Sequence, residues 1–301
     1  MRPLRRLILA AATVAGVLLL GTLLEELAPG DALTDLALSP HLSVAARAQL
    51  RERYGLDQPA AIRLGRWLAG TLKGDLGFSI AYQRPVGELI WPRWKRTALV
   101  GALAFLLAWG TALPLAAAAA LAPGSFWRRA LMWLDRIALS VPTLALAPLV
   151  IAAVLSLGWN PLRAGSAALL LSALVLGAVE GSHALPPLTQ AIQAGLSRPF
   201  VRAARARGRL WPGVLVHALR AESPKLSSLA ALAVAHLLTG AVVVEAAFGY
   251  PGLGLLALEA VVARDPHLLV ATLGVVASTV VGANLAADGA VLWLAPPASE
   301  R

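Results

Sequence analysis

Six long apolar runs dominate the chain, at residues 7–24, 98–122, 137–157, 164–185, 226–248 and 268–294. A helix rises about 1.5 Å per residue, so about 20 residues cross the hydrocarbon core of a bilayer. No water is available there, so backbone N–H and C=O groups must pair internally, which leaves helices or closed barrels. The runs are too long and too continuously apolar to be the alternating strands of a barrel. With 58% hydrophobic and 14% charged residues and a mean hydropathy of +0.72, a water-soluble fold would expose large apolar patches. The expectation is an all-α, polytopic membrane protein with six transmembrane helices. Two runs carry polar interruptions: Glu180 and His183 near one end of the fourth, Asn284 and Asp288 in the sixth.

The first run follows Arg2, Arg5 and Arg6, as the core of a secretory leader would. It is long for a leader, ends in Glu25 and Glu26, and lacks a small-x-small cleavage triplet before Ala28-Pro29, so an uncleaved anchor is expected. Basic residues beside a helix resist translocation, and those in short loops orient the bundle. With the amino terminus inside, inner segments hold Arg128, Arg129 and Arg136, then Arg198, Arg202, Arg205, Arg207, Arg209, Arg220 and Lys225. The short outer loops hold Arg163 and Arg264. Both termini are therefore expected in the cytoplasm, with the chain a multi-pass protein of a bacterial inner membrane.

Three parts follow from this reading: an inner tip and first span at 1–24, an outer segment at 25–96, and a five-helix core at 97–301 with an inner loop at 186–225. In the outer segment Ser43 can cap a helix running to Tyr54 and ended by Gly55. A second helix after Pro59 would place Ala61, Leu64, Trp67, Leu68 and Thr71 on one face and Arg63, Arg66 and Lys73 on the other. Such a helix lies at a membrane surface or packs on its own protein, and the pattern fits both. Trp91 and Trp94 beside Lys95 and Arg96 read as an interfacial belt.

Several chemistries are excluded by what is missing. There is no G-x-x-x-x-G-K-[ST] phosphate loop, no H-E-x-x-H, no G-x-S-x-G and no cysteine. The formal net charge of +10 flanks the spans instead of forming one soluble face, which fits anionic lipid headgroups and not nucleic acid. Ionisable groups inside spans are costly and mark function or pairing. His236, near mid-span, either lines a path for a solute, metal-bearing solutes included, or donates to a neighbouring helix. Glu245 either holds the turn after it or meets a substrate amine; Asn284 is a third candidate for the path. Asp288 lies where it could pair with loop arginines, and Pro114, Pro142 and Pro148 are expected to kink helices.

The inner loop holds Phe200, Val201, Arg202, Ala203, Ala204, Arg205, Ala206, Arg207 and Gly208, read as a short helix stopped by a left-handed glycine. Here the chain resembles the inner-membrane permeases of ABC importers, in the dipeptide, oligopeptide and nickel branch. Leu27-Ala28-Pro29-Gly30-Asp31, the Tyr54 to Pro59 run, Gly74-Asp75-Leu76-Gly77 and Ser140-Val141-Pro142 fit the same pattern. So does the run from Val242 to Gly254, with its turn at Gly249, Pro251, Gly252 and Gly254, and Ala263-Arg264-Asp265 after it. The resemblance covers nearly the whole chain.

It implies the type I, MetI-like permease fold, in which the short helix couples to an ATPase cleft and the spans alternate between inward and outward openings. It also implies a second permease subunit, two ATP-binding subunits and a periplasmic or lipid-anchored solute-binding protein. No cofactor would reside in this chain, ATP and Mg²⁺ being held by the partner ATPases. The carried solute would be a peptide or a related small molecule such as a nickel chelate. Three departures stand out: Arg198-Pro199 replaces the usual acid before the coupling helix, the usual asparagine is missing near Ala221, and the outer connection at 158–163 is short. The competing reading is a secondary transporter working without an ATPase, which should show two related halves; none is visible. An integral membrane enzyme would need a convergent catalytic set within the spans, and none is visible either.

Overall fold

The computed structural model describes residues 3–27, 58–71, 73–141, 143–158 and 165–294. The helix expected at 43–54 lies outside them. In chain order the elements are α1 (Pro3–Leu27), α2 (Ala60–Thr71), β1 (Phe78–Ser79), β2 (Arg84–Pro85), α3 (Val86–Leu121), α4 (Phe126–Leu139), α5 (Thr143–Ser156), α6 (Gly165–Ser197), α7 (Pro199–Ala206), α8 (Trp211–Ala221), α9 (Ser223–Phe248), α10 (Leu253–Val262) and α11 (Pro266–Leu294). Five of them, α1, α3, α6, α9 and α11, are long and apolar enough to cross a membrane.

The third expected span is the exception to the simple count. Residues 137–139 belong to α4, which closes at Ser140, whose amide donates back to Arg136 and Ile137. Pro142 then lacks the amide that would continue the ladder. What remains of the span is α5, a mainly apolar helix of 14 residues with Pro148 inside it. Helix α4 is amphipathic, with Phe126, Trp127, Trp133, Leu134 and Ile137 exposed and Asp135 buried. Ser125 caps it, its hydroxyl accepting from the Arg128 amide.

Two other boundaries move outward. Helix α3 begins at Val86, so Trp91, Trp94, Lys95 and Arg96 ride on the helix. Helix α6 runs through Pro186 and Pro187 to Ser197, so the connection expected from residue 186 opens only at Arg198. The two prolines withhold amides from the Ser182 and His183 carbonyls without ending the helix.

The chain divides into two compact units, residues 1–96 with 251–281, and residues 97–250 with 282–301. In the first, Leu18, Trp67, Val86, Ile90, Leu256 and Leu268 are among the residues that form the core. Trp67 is the buried anchor of α2 and donates from Nε1 to the Leu76 carbonyl at 2.9 Å; Arg66 and Leu68 stay exposed. Gly77, with φ +89°, turns the chain into the β1–β2 hairpin. That hairpin is tied down by Asp265, 1% exposed, which accepts from Ser79 Oγ at 2.6 Å and the Ala81 amide at 3.0 Å. The same carboxylate caps α11 by accepting from the Leu268 amide, with Pro266 at the first helical position. Beside it Glu259 accepts from Tyr82 Oη at 2.6 Å and from Arg93 at 2.8 Å. Burial and the Glu259 carboxylate push the Tyr82 phenol above its ordinary range.

The second unit is organised around α6, which packs on α4, α5, α7, α8 and α9. Small residues allow the close approaches. A Cβ at Gly177 would stand 3.0 Å from the Ala104 carbonyl oxygen, and one at Gly195 only 2.4 Å from that of Ala218. Helices α6 and α8 therefore touch backbone to backbone.

Candidate functional site

Helix α7 is short, polar on one side and built into the unit on the other. Pro199 occupies its first position, where the missing amide costs nothing, and Gly208 ends the turn that follows at φ +79°. Val201 is buried against Val214 and Ala218 of α8, with Phe200 partly buried alongside, and Ala204 is buried too. Arg202, Ala203, Arg205, Ala206, Arg207 and Gly208 remain exposed. The nine residues singled out in the sequence thus split into an inward, fixing set and an outward, basic set. Arg205 also stacks over Trp211, its guanidinium carbon 4.5 Å from the ring centroid. A cleft of about 710 Å³ adjoins the helix, lined in part by Pro123, Gln193, Arg202, Arg205 and Trp211.

Arg198 is paired with Glu222, and both lie where the sequence departs from the resembled pattern. Its Nε and Nη2 donate to Glu222 Oε1 at 3.0 and 2.8 Å, so the basic residue ahead of α7 is matched by an acid just past Ala221. Glu222 is largely buried and Arg198 about half exposed, at 10% and 53% of their side chains. The pair joins the start of α7 to the junction of α8 and α9, closing the arm into a loop with the Gly195–Ala218 contact.

The membrane-embedded candidates fare differently from one another. Glu245 is fully buried and accepts from Thr97 Oγ1 at 2.5 Å. Its main-chain carbonyl receives the Gly249 and Tyr250 amides, so it sits at the base of the turn, where Gly249 takes φ +62°. Asn284 is exposed on α11 and Asp288 partly so. Pro251, Gly252 and Gly254 follow in the first unit, with Gly252 capping α10. His236 stands half exposed in the middle of α9, its Nδ1 3.3 Å from Glu180 Oε2 of α6. His183, one turn after Glu180, places its ring 5.5 Å from that of His236.

Glu180 and His183 figure in the sequence reading only as interruptions of a span. An ionisable pair at i and i+3 in an otherwise apolar helix was the signal available. Asp265 is likewise legible as an acid directly before a proline that starts an apolar helix.

Among known proteins, residues 112–299 match the family described as binding-protein-dependent transport system inner membrane component. Oligopeptide transport system permease protein AppB of Bacillus subtilis is 30% identical, with 95% of each chain covered. Glutathione transport system permease protein GsiC of Salmonella paratyphi A is 32% identical over 87% of each, and dipeptide transport system permease protein DppB of Escherichia coli K12 is 28% identical over 95% of this chain and 94% of its own. Long apolar helices with a basic arm in the second unit agree with that likeness, and the chain belongs to the binding-protein-dependent inner-membrane components, the permeases of ABC importers of the peptide branch.

Proposed function

We propose that this chain forms half of the translocation path of an ATP-driven importer for peptides or a closely related small solute. It works with a second permease, two ATP-binding subunits and a solute-binding protein. Both termini lie in the cytoplasm, and α7 is the element that an ATPase grips. The observation that carries this reading is the split character of α7: Val201 and Ala204 anchor it, while Arg202, Arg205 and Arg207 are presented outward.

The mechanical argument follows from the packing. Helix α7 does not move alone, because Arg198–Glu222 and the packing of Val201 on Val214 and Ala218 tie it to α8 and the start of α9, while the backbone contact at Gly195 joins α8 to α6. A push on the arm is therefore delivered to α6, which rises about 25 Å from Ser197 to Glu180 at 1.5 Å per residue. Pro186 and Pro187 supply a bend along that lever. ATP-driven closure of the motor would thus reorient the membrane helices, as alternating access requires.

The peptide class rests on the relatives, whose names specify oligopeptide, dipeptide and glutathione transport. Co-purification in mild detergent tests the assembly: ATP-binding subunits and a second permease should travel with this chain. Arg205→Glu combined with Gly208→Pro should abolish transport and solute-stimulated ATP hydrolysis while leaving membrane insertion intact. Normal coupled hydrolysis in that variant would remove the proposal.

A further inference from the structure

Three ionisable side chains from two apolar helices converge inside the second unit. His236 lies 13 residues after Ser223 and 12 before Phe248, at the centre of α9. Its Nδ1 stands 3.3 Å from Oε2 of Glu180, whose side chain is 5% exposed and whose Oε2 has no other polar partner among the described residues. His183 completes the group on α6. The apolar stretch from Thr97 to Leu121 and all of α5 carry no ionisable residue, whereas α4 brings Asp135, 6% exposed, into a pocket shared with Gly181 and Ser182 of α6.

Such groups do not face lipid. Charged and polar side chains at mid-membrane depth turn to a bundle interior or a water-filled cavity. Yet His236 is 44% exposed on its side chain and His183 is exposed too. The face that bears them must therefore border water or another subunit. Glu180 is held behind the imidazoles, so an arriving solute meets nitrogen donors first. As carboxylate with imidazolium or as acid with imidazole the Glu180–His236 pair carries no net charge. An approaching anion favours the form with the proton on His236, whose Nε2–H then points outward as a charge-assisted donor.

We propose that Glu180, His236 and His183 form a polar station on the translocation path that takes an anionic group of the solute, such as a peptide's C-terminal carboxylate. His236 and His183 are the contacting groups; Glu180 is a positioning residue that fixes the His236 ring and exchanges a proton with it. The assignment to a solute path, and with it the choice of water over a second subunit for the exposed face, rests on the importer reading, whereas the anion-preferring character of the station does not.

The chain contains no cysteine, so a single introduced thiol reports without background once labelling is read on this chain resolved from its partners. Thr239 is exposed one turn from His236, and Thr239→Cys places a probe beside the station. The assembled complex in membrane vesicles is treated with two impermeant methanethiosulfonates of similar size, one carrying a sulfonate and one a trimethylammonium, and rates are normalised to a free thiol. Both should react, and the anionic reagent should be favoured by up to about tenfold, the ratio expected of an uncompensated unit positive charge about 6 Å away in a water-like medium, less what the Glu180 carboxylate behind the imidazole cancels. His236→Gln should remove that preference and Glu180→Gln should reduce it, with normal amounts of complex recovered for each. A thiol that reacts with neither reagent, a preference for the cation, or a ratio untouched by His236→Gln would overturn the proposal. If ATP-binding subunits fail to co-purify while the anion preference persists, the importer reading fails and the station stands.

Discussion

Gly195→Ala tests whether the arm and the long helix move as one body. The added Cβ would fall 2.4 Å from the Ala218 carbonyl oxygen, 2.9 Å from its carbon and 3.0 Å from its Cα. All three are main-chain atoms, so no side-chain rotation relieves the clash. To regain a 3.4 Å contact, α8 must back away from α6 by about 1 Å. Overpacking of this kind costs about 1–3 kcal/mol, against which alanine returns up to about 1 kcal/mol of helix propensity. The net destabilisation should be about 1–2 kcal/mol, visible as a lower thermal midpoint in detergent. Displacing an element between two coupled sites changes their coupling by about 0.5–2 kcal/mol, or roughly twofold to thirtyfold in solute-stimulated ATP hydrolysis of the reconstituted importer. Ala218→Gly should not rescue it, because the obstructing atoms are backbone. Gly181→Ala, on the same helix but 3.6 Å from its nearest neighbour, should be close to neutral. Unchanged stability and coupling in Gly195→Ala would refute the claim that α6 and α8 meet backbone to backbone.

Three further perturbations follow from single contacts. Exchanging the partners of the ion pair, with Arg198→Glu and Glu222→Arg, should be damaging singly and partly restored together; a double-mutant cycle should return about 1 kcal/mol, since Arg198 is half exposed. Asp265→Asn turns an amide nitrogen either toward the Ser79 hydroxyl and the Ala81 amide or toward the Leu268 amide, and should cost about 2–3 kcal/mol in a thermal or denaturant melt. Gly249→Ala should cost about 1 kcal/mol although space is open around it, because φ is +62° there, and Gly249→Asn should be better tolerated.

Hydropathy carried most of the architecture, because helices in lipid must be long and apolar, and that demand is written locally. The left-handed stop at Gly208 and the helix around Trp67 were local in the same sense. The break between α4 and α5 was obscured because Ile137 to Leu139 are as apolar as the span they precede, while α4 closes at Ser140. The continuation of α6 through Pro186 and Pro187 went the other way, with packing of Leu188 and Ile192 in the core holding a helix that local preference would end. The partner of Arg198 is Glu222, 24 residues away, a pairing that no local pattern encodes. The meeting of Glu180 with His236 depends on how α6 crosses α9, which no local pattern encodes.

The central claim is that an inner, basic arm is held by a motor on the cytoplasmic side. Ala206→Cys, exposed on α7 in a chain without other cysteines, tests it by labelling with an impermeant thiol reagent. The account predicts reaction in inside-out vesicles stripped of ATP-binding subunits, protection once those subunits are restored, and none in intact spheroplasts. Reaction from the outer side of spheroplasts would contradict it.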